Sequence, residues 1–194
     1  QGSALILNLF FGTVINAAYG VANQLNNFIS HFVKSLNGAA VPQITKSYSG
    51  GDRGRSMSLV YSITKYSFFL MLLPVIPILL SIDEILSLWL KEVPVYTKEF
   101  VVIMMINGLL GSICSGFDAA IQATGNIRNY QVTISIILLS SLLISYLLFT
   151  TLGVEPYFIN IIFLLASFIS ILIGIRFMSK LTSFSLKQYL IKTI

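Results

Sequence analysis

The sequence predicts an all-α, polytopic membrane protein with five transmembrane helices and the end of a truncated sixth. Hydrophobic residues make up 56% of its 194 residues and charged residues only 10%, whereas charged residues make up about a quarter of a soluble domain. Apolar runs such as 134–149 and 158–175 approach the roughly 20 residues that a helix needs to cross a bilayer. Because these runs are continuous, and do not alternate in segments of about ten residues, a β-barrel is disfavoured.

Breaks rich in Gly, Pro, Ser, Asp and Asn divide the chain into six pieces. The first piece, 1–11, is too short to span, so we interpret it as the tail of a truncated helix. We expect helices at about 14–48, 55–90, 95–124, 128–151 and 156–180, followed by a cytoplasmic tail over 181–194. Pro74 and Pro77 lie inside the 55–90 piece, where we expect a bend in a continuous helix. The start at Gln1, without a signal peptide, suggests part of a larger protein.

Positive charge is distributed unequally between the two ends of the predicted bundle. Eight of the twelve Lys and Arg residues flank one side: Lys46, Arg53, Arg55, Arg128, Arg176, Lys180, Lys187 and Lys192. The opposite loops hold two lysines and five acidic residues. The positive-inside rule therefore predicts that the 49–54 loop, the 125–129 loop and the C-terminus are cytoplasmic. Since the basic residues are spread over three loop regions, they indicate membrane topology and not nucleic-acid binding.

Polar side chains form stripes at helical spacing on three of the predicted helices. The longest stripe consists of Asn16, Asn23, Asn27, His31, Lys34 and Asn37, with steps of 7, 4, 4, 3 and 3. Shorter stripes consist of Ser58, Ser62 and Lys65, and of Asn107, Gly111, Ser115, Asp118 and Gln122. The last two helices show no comparable polar face. We expect the three stripes to face one another across a hydrated cavity that opens toward the cytoplasm.

Three ionisable residues are predicted to lie in one layer within the membrane. Lys34, Lys65 and Asp118 are 12, 10 and 10 residues from the nearest cytoplasmic basic residue, which corresponds to about 15–18 Å of helix. A charge at such depth costs about 2.5–3.5 kcal/mol or more and usually faces a bundle interior or a wet cavity. Simpler interpretations of these residues stay open: the lysines snorkel to the interface, or Asp118 only neutralises one of them. Likewise, a hydrogen-bonded core position would account for His31, and interhelical hydrogen bonds would account for the asparagine stripe.

Enzymatic function is not expected. The chain holds one His and one Cys, and it has no metal-ligand spacing, no GxSxG motif and no phosphate-binding GK[ST] loop. We interpret Cys114 as a small buried residue. Neither a metal nor a cofactor is therefore predicted.

Several motifs resemble those of a transporter family. LNLFFG at 7–12, NAAYGVANQ at 16–24 and PQITKSYSGGD at 42–52 are similar to the second half of Wzx-type polysaccharide flippases, as are SLWLKEVPVYT at 87–97 and QATGNI at 122–127. These flippases, which include lipopolysaccharide biosynthesis proteins, belong to the MOP superfamily together with MATE exporters and the lipid II flippase. The resemblance implies one lobe of a MATE-like two-lobe fold, here the C-terminal lobe, with the N-terminal lobe missing.

The resemblance also implies an activity. The family moves an undecaprenyl-pyrophosphate-linked oligosaccharide across the bacterial inner membrane by alternating access, for surface polysaccharide synthesis. Lys34, Lys65 and Arg55 would then bind the pyrophosphate, and Asp118 and His31 would bind a coupling proton or cation. The glycan-lining wall would consist of polar residues of the first long helix: Asn23, Gln24, Asn27 and Ser30. Expected partners are the lipid-linked oligosaccharide, membrane lipid, the missing N-terminal lobe and a polysaccharide polymerase, without nucleic acid.

Two alternative functions remain open. A MATE-like exporter of organic cations predicts a net acidic cavity, whereas the predicted layer holds two lysines against one aspartate. A non-transporting membrane remnant or scaffold would need no cavity at all.

Overall fold

The computed structural model describes residues 2–182 together with Phe184 and Tyr189, and these residues form seven α-helices and no strand. The helices are α1 (Gly2–Ser49), α2 (Arg53–Leu80), α3 (Ile82–Trp89), α4 (Thr97–Ser112), α5 (Phe117–Ala123), α6 (Arg128–Leu152) and α7 (Phe158–Leu181). Four of them, α1, α2, α6 and α7, are long and apolar enough to cross a membrane, and the bent pair α4–α5 provides a fifth candidate span. The predicted all-α class is confirmed for the described residues, and the length and hydropathy of these helices are consistent with a membrane-embedded protein.

The predicted break near residue 12 is a kink within α1. Gly12 has a φ of 78° and a ψ of −171°, a backbone region that is essentially restricted to glycine. The segment before the kink packs on α6, where the rings of Phe10 and Phe11 lie 5.7 and 5.0 Å from the ring of Phe149. The short first piece is therefore part of the helical packing, anchored by aromatic contacts.

The expectation of one continuous helix over 55–90 is wrong. Helix α2 ends at Leu80 and α3 begins at Ile82, although the Ser81 N–H still donates to the Pro77 carbonyl at 3.0 Å. Asp83 and Glu84 lie in the first turn of α3, where negative charge interacts favourably with the helix dipole. The break therefore falls where the sequence favours a new helix start, one turn after the prolines.

The expectation of one continuous helix over 95–124 is also wrong. Residues 113–116 form a turn between α4 and α5, which bend by 41° relative to each other. At this turn Gly116 approaches α2 so closely that a Cβ atom would lie 2.9 Å from the Val60 carbonyl oxygen. We attribute the position of the break to this backbone contact, which only glycine permits.

The helices that were predicted at 128–151 and 156–180 correspond closely to α6 and α7. A hydrogen bond between Tyr96 and Glu155 joins the start of α4 to the α6–α7 loop. At the other end of the bundle, the Ser56 hydroxyl of α2 donates to the Ile44 carbonyl of α1 at 3.1 Å. This packing leaves the basic residues of 46–55 and Arg128 at the end opposite the acidic residues of α3 and Glu155. Lys187 and Lys192 lie outside the described residues, as does most of the predicted 181–194 tail.

The core consists of two clusters stacked along the helices. One cluster surrounds Met71, Phe100 and Ile159 and includes Val33 of α1. The other surrounds Tyr61 and Phe117 and contains the described tail residues, Phe184 and Tyr189, which are buried. Lys34 and Asp118 lie at the level where the two clusters meet.

Candidate functional site

Three polar cavities follow one another along α4 and α5. The asparagine cavity, of about 230 Å³, lies among α1, α4 and α7. The lysine–aspartate cavity, of about 300 Å³, lies among α1, α2, α4 and α5. The aspartate–tyrosine cavity, of about 310 Å³, lies among α5, α6 and α7. Neighbouring cavities share lining residues, and we refer to the three together as the groove.

The polar lining of the asparagine cavity consists of amides and hydroxyls, and no charged side chain lines it. Its polar lining residues are Ser3, Tyr19, Asn23, Asn26, Ser30, Asn107 and Asn160. Three buried amide atoms, Oδ1 of Asn26, Oδ1 of Asn107 and Nδ2 of Asn160, have no hydrogen-bond partner among the described residues. An unpartnered buried polar group costs about 1–3 kcal/mol. The polar lining is therefore neutral, and it includes three amide side chains that each keep one buried atom without a partner.

The lysine–aspartate cavity continues the groove and shares Ser30 and Gly108 with the asparagine cavity. Lys34 and Asp118 both line it. Two further buried atoms in this cavity, Oδ1 of Asn37 and Oγ of Ser115, have no partner in the described part of the chain. Only part of each predicted stripe therefore lines the groove: Asn23, Lys34 and Asn37 of α1, and Asn107, Gly111, Ser115 and Asp118 of the α4–α5 segment.

The aspartate–tyrosine cavity shares Ser115 and Asp118 with the lysine–aspartate cavity. The Tyr130 hydroxyl donates a 2.7 Å hydrogen bond to Oδ1 of Asp118. Ser167 and Ser170 of α7 line the far wall. The carboxylate of Asp118 is thus the one ionisable group that lines two of the three cavities.

The groove contains a lysine and an aspartate that do not form an ion pair. Within the described residues, the single salt bridge joins Lys98 and Asp83 at 2.5 Å, at the acidic end of the bundle. Lys34 is exposed in this chain and Asp118 bonds to a tyrosine. The suggested structural pairing of Asp118 with a lysine is therefore not observed.

Lys65 lies at the level of Lys34 but is not among the residues that line the groove. Two contacts fix the register of the antiparallel helices α1 and α2. Ser56 bonds to Ile44, and Met71 and Asn26 both lie beside Gly108 of α4. Between these two points, Lys65 is level with Lys34. Ser58 and Ser62, the other members of its stripe, are exposed. The expected face of α2 is therefore wrong: Thr64, Ser67 and Met71 occupy the buried face.

The remaining residues predicted from the sequence occupy different places. Asn23 and Ser30 line the asparagine cavity. Gln24 lines an apolar crevice of about 400 Å³ with Phe28 and Trp89, and Asn27 and His31 are exposed outside the groove. Arg55 lies at the basic end, beside Lys46 and Asp52, where its backbone N–H donates to the Asp52 carboxylate at 2.9 Å.

Sequence reasoning missed the polar face of α7. Asn160, Ser167, Ser170 and Gly174 line the groove, so the expectation that the last two helices lack a comparable polar face is wrong for α7. The steps of 7, 3 and 4 between these residues are helical spacing. This signal was present in the sequence, but the strongly apolar residues around it obscured it.

The described residues contain no group of three or more His, Cys, Asp or Glu side chains that would hold a metal ion. Comparison of the chain with protein-family models, curated proteins and solved structures finds no match. The case for a function therefore combines the geometry of the groove with the motif resemblance.

Proposed function

We propose that this chain is the C-terminal lobe of a flippase that moves a lipid-linked oligosaccharide across the bacterial inner membrane. The observation that carries the proposal is the groove, since three cavities with common lining residues run along helices apolar enough to span a bilayer and contain amides, Lys34 and Asp118. Charged side chains within a membrane span usually face a bundle interior or a water-filled cavity and mark substrate or ion pathways. The complete pathway would lie between this lobe and an N-terminal lobe.

Lys34 is the candidate partner for the pyrophosphate of the substrate. It lines the groove, is exposed, and makes no ion pair with the aspartate in the same cavity. An ammonium group without a carboxylate partner is available for charge-assisted hydrogen bonds to phosphate oxygens. Arg55 and Lys46, at the basic end, would attract the same group earlier on its path.

The sugar portion would contact the neutral part of the groove. Asn23 and Ser30 line the asparagine cavity and offer both donors and acceptors. Asn27, Gln24, Lys65 and His31 lie outside the groove of this lobe, so a substrate role for them would require the second lobe. Asp118 is the better candidate for the coupling group, because it lines two cavities.

A MATE-like exporter of organic cations is the second candidate. One observation favours it: with Lys65 outside the groove, the groove of this lobe contains one lysine and one aspartate. Its charge is therefore balanced and not net basic. The two functions differ in which residue binds substrate, Lys34 for an anion and Asp118 for a cation.

The test replaces Lys34 with alanine in the intact protein and measures surface polysaccharide in a strain that depends on it. Lys34→Ala should abolish the polysaccharide and trap the lipid-linked oligosaccharide in the cytoplasmic leaflet, and Lys34→Arg should restore much of the activity. Lys91→Ala, at the opposite end, is the matched control. Normal polysaccharide in Lys34→Ala at equal membrane expression would contradict the flippase proposal. Efflux of organic cations that is lost in Asp118→Asn would favour the exporter.

A further inference from the structure

We infer that the asparagine cavity is a binding site for a single neutral sugar ring, a site that involves Asn26, Asn107 and Asn160 in addition to the residues proposed above. The inference rests on the proposed function for the choice of saccharide, but its chemical basis lies in the cavity. Three properties of the lining carry it: charge, unsatisfied hydrogen-bonding groups and shape.

The lining determines the charge of the ligand. No Lys, Arg, Asp, Glu or His side chain lines the asparagine cavity, so an ion entering it would lose hydration without gaining a counter-charge. A neutral ligand avoids this penalty. The cavity therefore differs from the adjacent lysine–aspartate cavity, which would hold the charged end of the same substrate.

The unsatisfied atoms determine the hydrogen-bonding character of the ligand. Asn160 of α7 is 6% exposed and lines the cavity, and its buried Nδ2 has no partner among the described residues. The same holds for Oδ1 of Asn26 and Oδ1 of Asn107, whose side chains also line the cavity. The assignment of N and O within an amide is interchangeable, but in either orientation the cavity offers both donors and acceptors. Hydroxyl groups, which donate and accept, satisfy both kinds.

The remaining wall and the volume indicate a ring. Ile103, Met104 and Phe163 add apolar side chains to the lining, each about one helical turn from Asn107 or Asn160. A sugar ring has hydroxyl groups at its edge and C–H groups on its faces, so it suits a lining that combines amides with apolar side chains. About 230 Å³ is below the roughly 300–1,000 Å³ of drug-sized ligand sites, which favours one ring and excludes a whole oligosaccharide.

The neighbouring geometry fits a substrate that extends beyond the cavity. Gly108 and Ser30 line both the asparagine and the lysine–aspartate cavities. A ring bound to the amides would therefore lie next to Lys34, the candidate phosphate partner. A sugar close to the phosphate end of a lipid-linked oligosaccharide has this arrangement.

The test is saturation-transfer NMR on the full-length protein in nanodiscs, with methyl glucoside and methyl N-acetylglucosaminide as neutral probes and glucuronate as the charged probe. The neutral rings should receive saturation and glucuronate should not. Asn107→Leu and Asn160→Leu should each weaken neutral-ring binding about fivefold, the equivalent of one lost hydrogen bond. Asn129→Leu, an exposed amide on α6 outside the cavity, should leave binding unchanged.

Thermal unfolding of the same variants separates a binding role from a structural one. Replacing an unpartnered buried amide with leucine should leave the melting temperature unchanged or raise it. Loss of both stability and binding would overturn the proposal, since the amides would then be structural. Absence of saturation with every neutral ring would overturn it as well, because the cavity would then hold only water. Neither result depends on Lys34. The sugar-site proposal can therefore fail while the flippase proposal, which the polysaccharide assay tests, stands.

Discussion

The phenol of Tyr130 on α6 donates a hydrogen bond of 2.7 Å to the carboxylate of Asp118 on α5. Tyr130 is buried, whereas the carboxylate is exposed to two cavities of the groove. The bond therefore fixes the side chain of Asp118 from one side and leaves its other oxygen accessible. It also connects the short α5 to the first turn of α6.

Tyr130→Phe should lower stability by about 1 kcal/mol, because it removes the hydroxyl that bonds Asp118 while the ring remains in place. The matched control is Tyr146→Phe on the same helix, whose ring contact with Phe10 does not involve the hydroxyl. Thermal unfolding in the same detergent compares the two variants. Equal melting temperatures would show that the Tyr130–Asp118 bond adds nothing to stability.

Gly116→Ala should destabilise the fold by about 1–3 kcal/mol, as overpacking typically does. A Cβ at this position would lie 2.9 Å from the Val60 carbonyl oxygen and 2.9 Å from Cγ2 of Ile63, so α2 and the α4–α5 turn would have to separate. Gly20→Ala is the control, since a Cβ at Gly20 meets nothing within 4 Å. Chemical denaturation of both variants measures the difference. If Gly116→Ala is as stable as Gly20→Ala, the close approach of α2 to this turn is incorrect.

The sequence was sufficient for the fold class and for the helices whose ends carry strong breakers. The predicted ends of α6 and α7 lie within about two residues of the observed ones, and the break predicted near Gly12 is a kink within α1. Hydropathy and breakers report whether a segment enters the membrane, and these features are local. The break at 113–116 depends on a contact between Gly116 and α2, which is a long-range feature that no local pattern records.

The candidate site was predictable only in part, because helical spacing is a local feature whereas the packing of a helix face is long-range. Helical spacing grouped Asp118 with Ser115 on the α4–α5 segment, and both line the groove. On α1 it grouped Asn23 and Lys34, which line the groove, with Asn27 and His31, which do not. Spacing defines the faces of a helix but not which face packs inward, so Lys65 was placed in the groove although α2 buries the face of Thr64. Asn160 was missed because one amide in a strongly apolar helix changes the average hydropathy little.

Gly12→Ala should destabilise the protein by about 1–3 kcal/mol through backbone strain alone. Gly12 has a φ of 78°, and a Cβ there would meet no atom within 4 Å, so steric overlap contributes nothing. Gly38→Ala, also without a neighbour within 4 Å but within regular helix, should be neutral or slightly stabilising, because alanine favours helix. Melting temperatures of the two variants isolate the strain. An unchanged melting temperature for Gly12→Ala would mean that the chain does not require the kink.

Thiol labelling tests the orientation of the bundle, which follows from charge alone. With Cys114 replaced by alanine, a cysteine introduced as Asp52→Cys should react with an impermeant maleimide only from the cytoplasmic side, and Glu92→Cys only from the opposite side. Both native residues are exposed, so accessibility does not differ between them. The physical reason is the retention of basic loops on the cytoplasmic side during insertion. Labelling of Asp52→Cys from outside would mean that the bundle has the opposite orientation. The basic end, with Lys46 and Arg55, would then lie where the proposed flippase should release its substrate and not bind it.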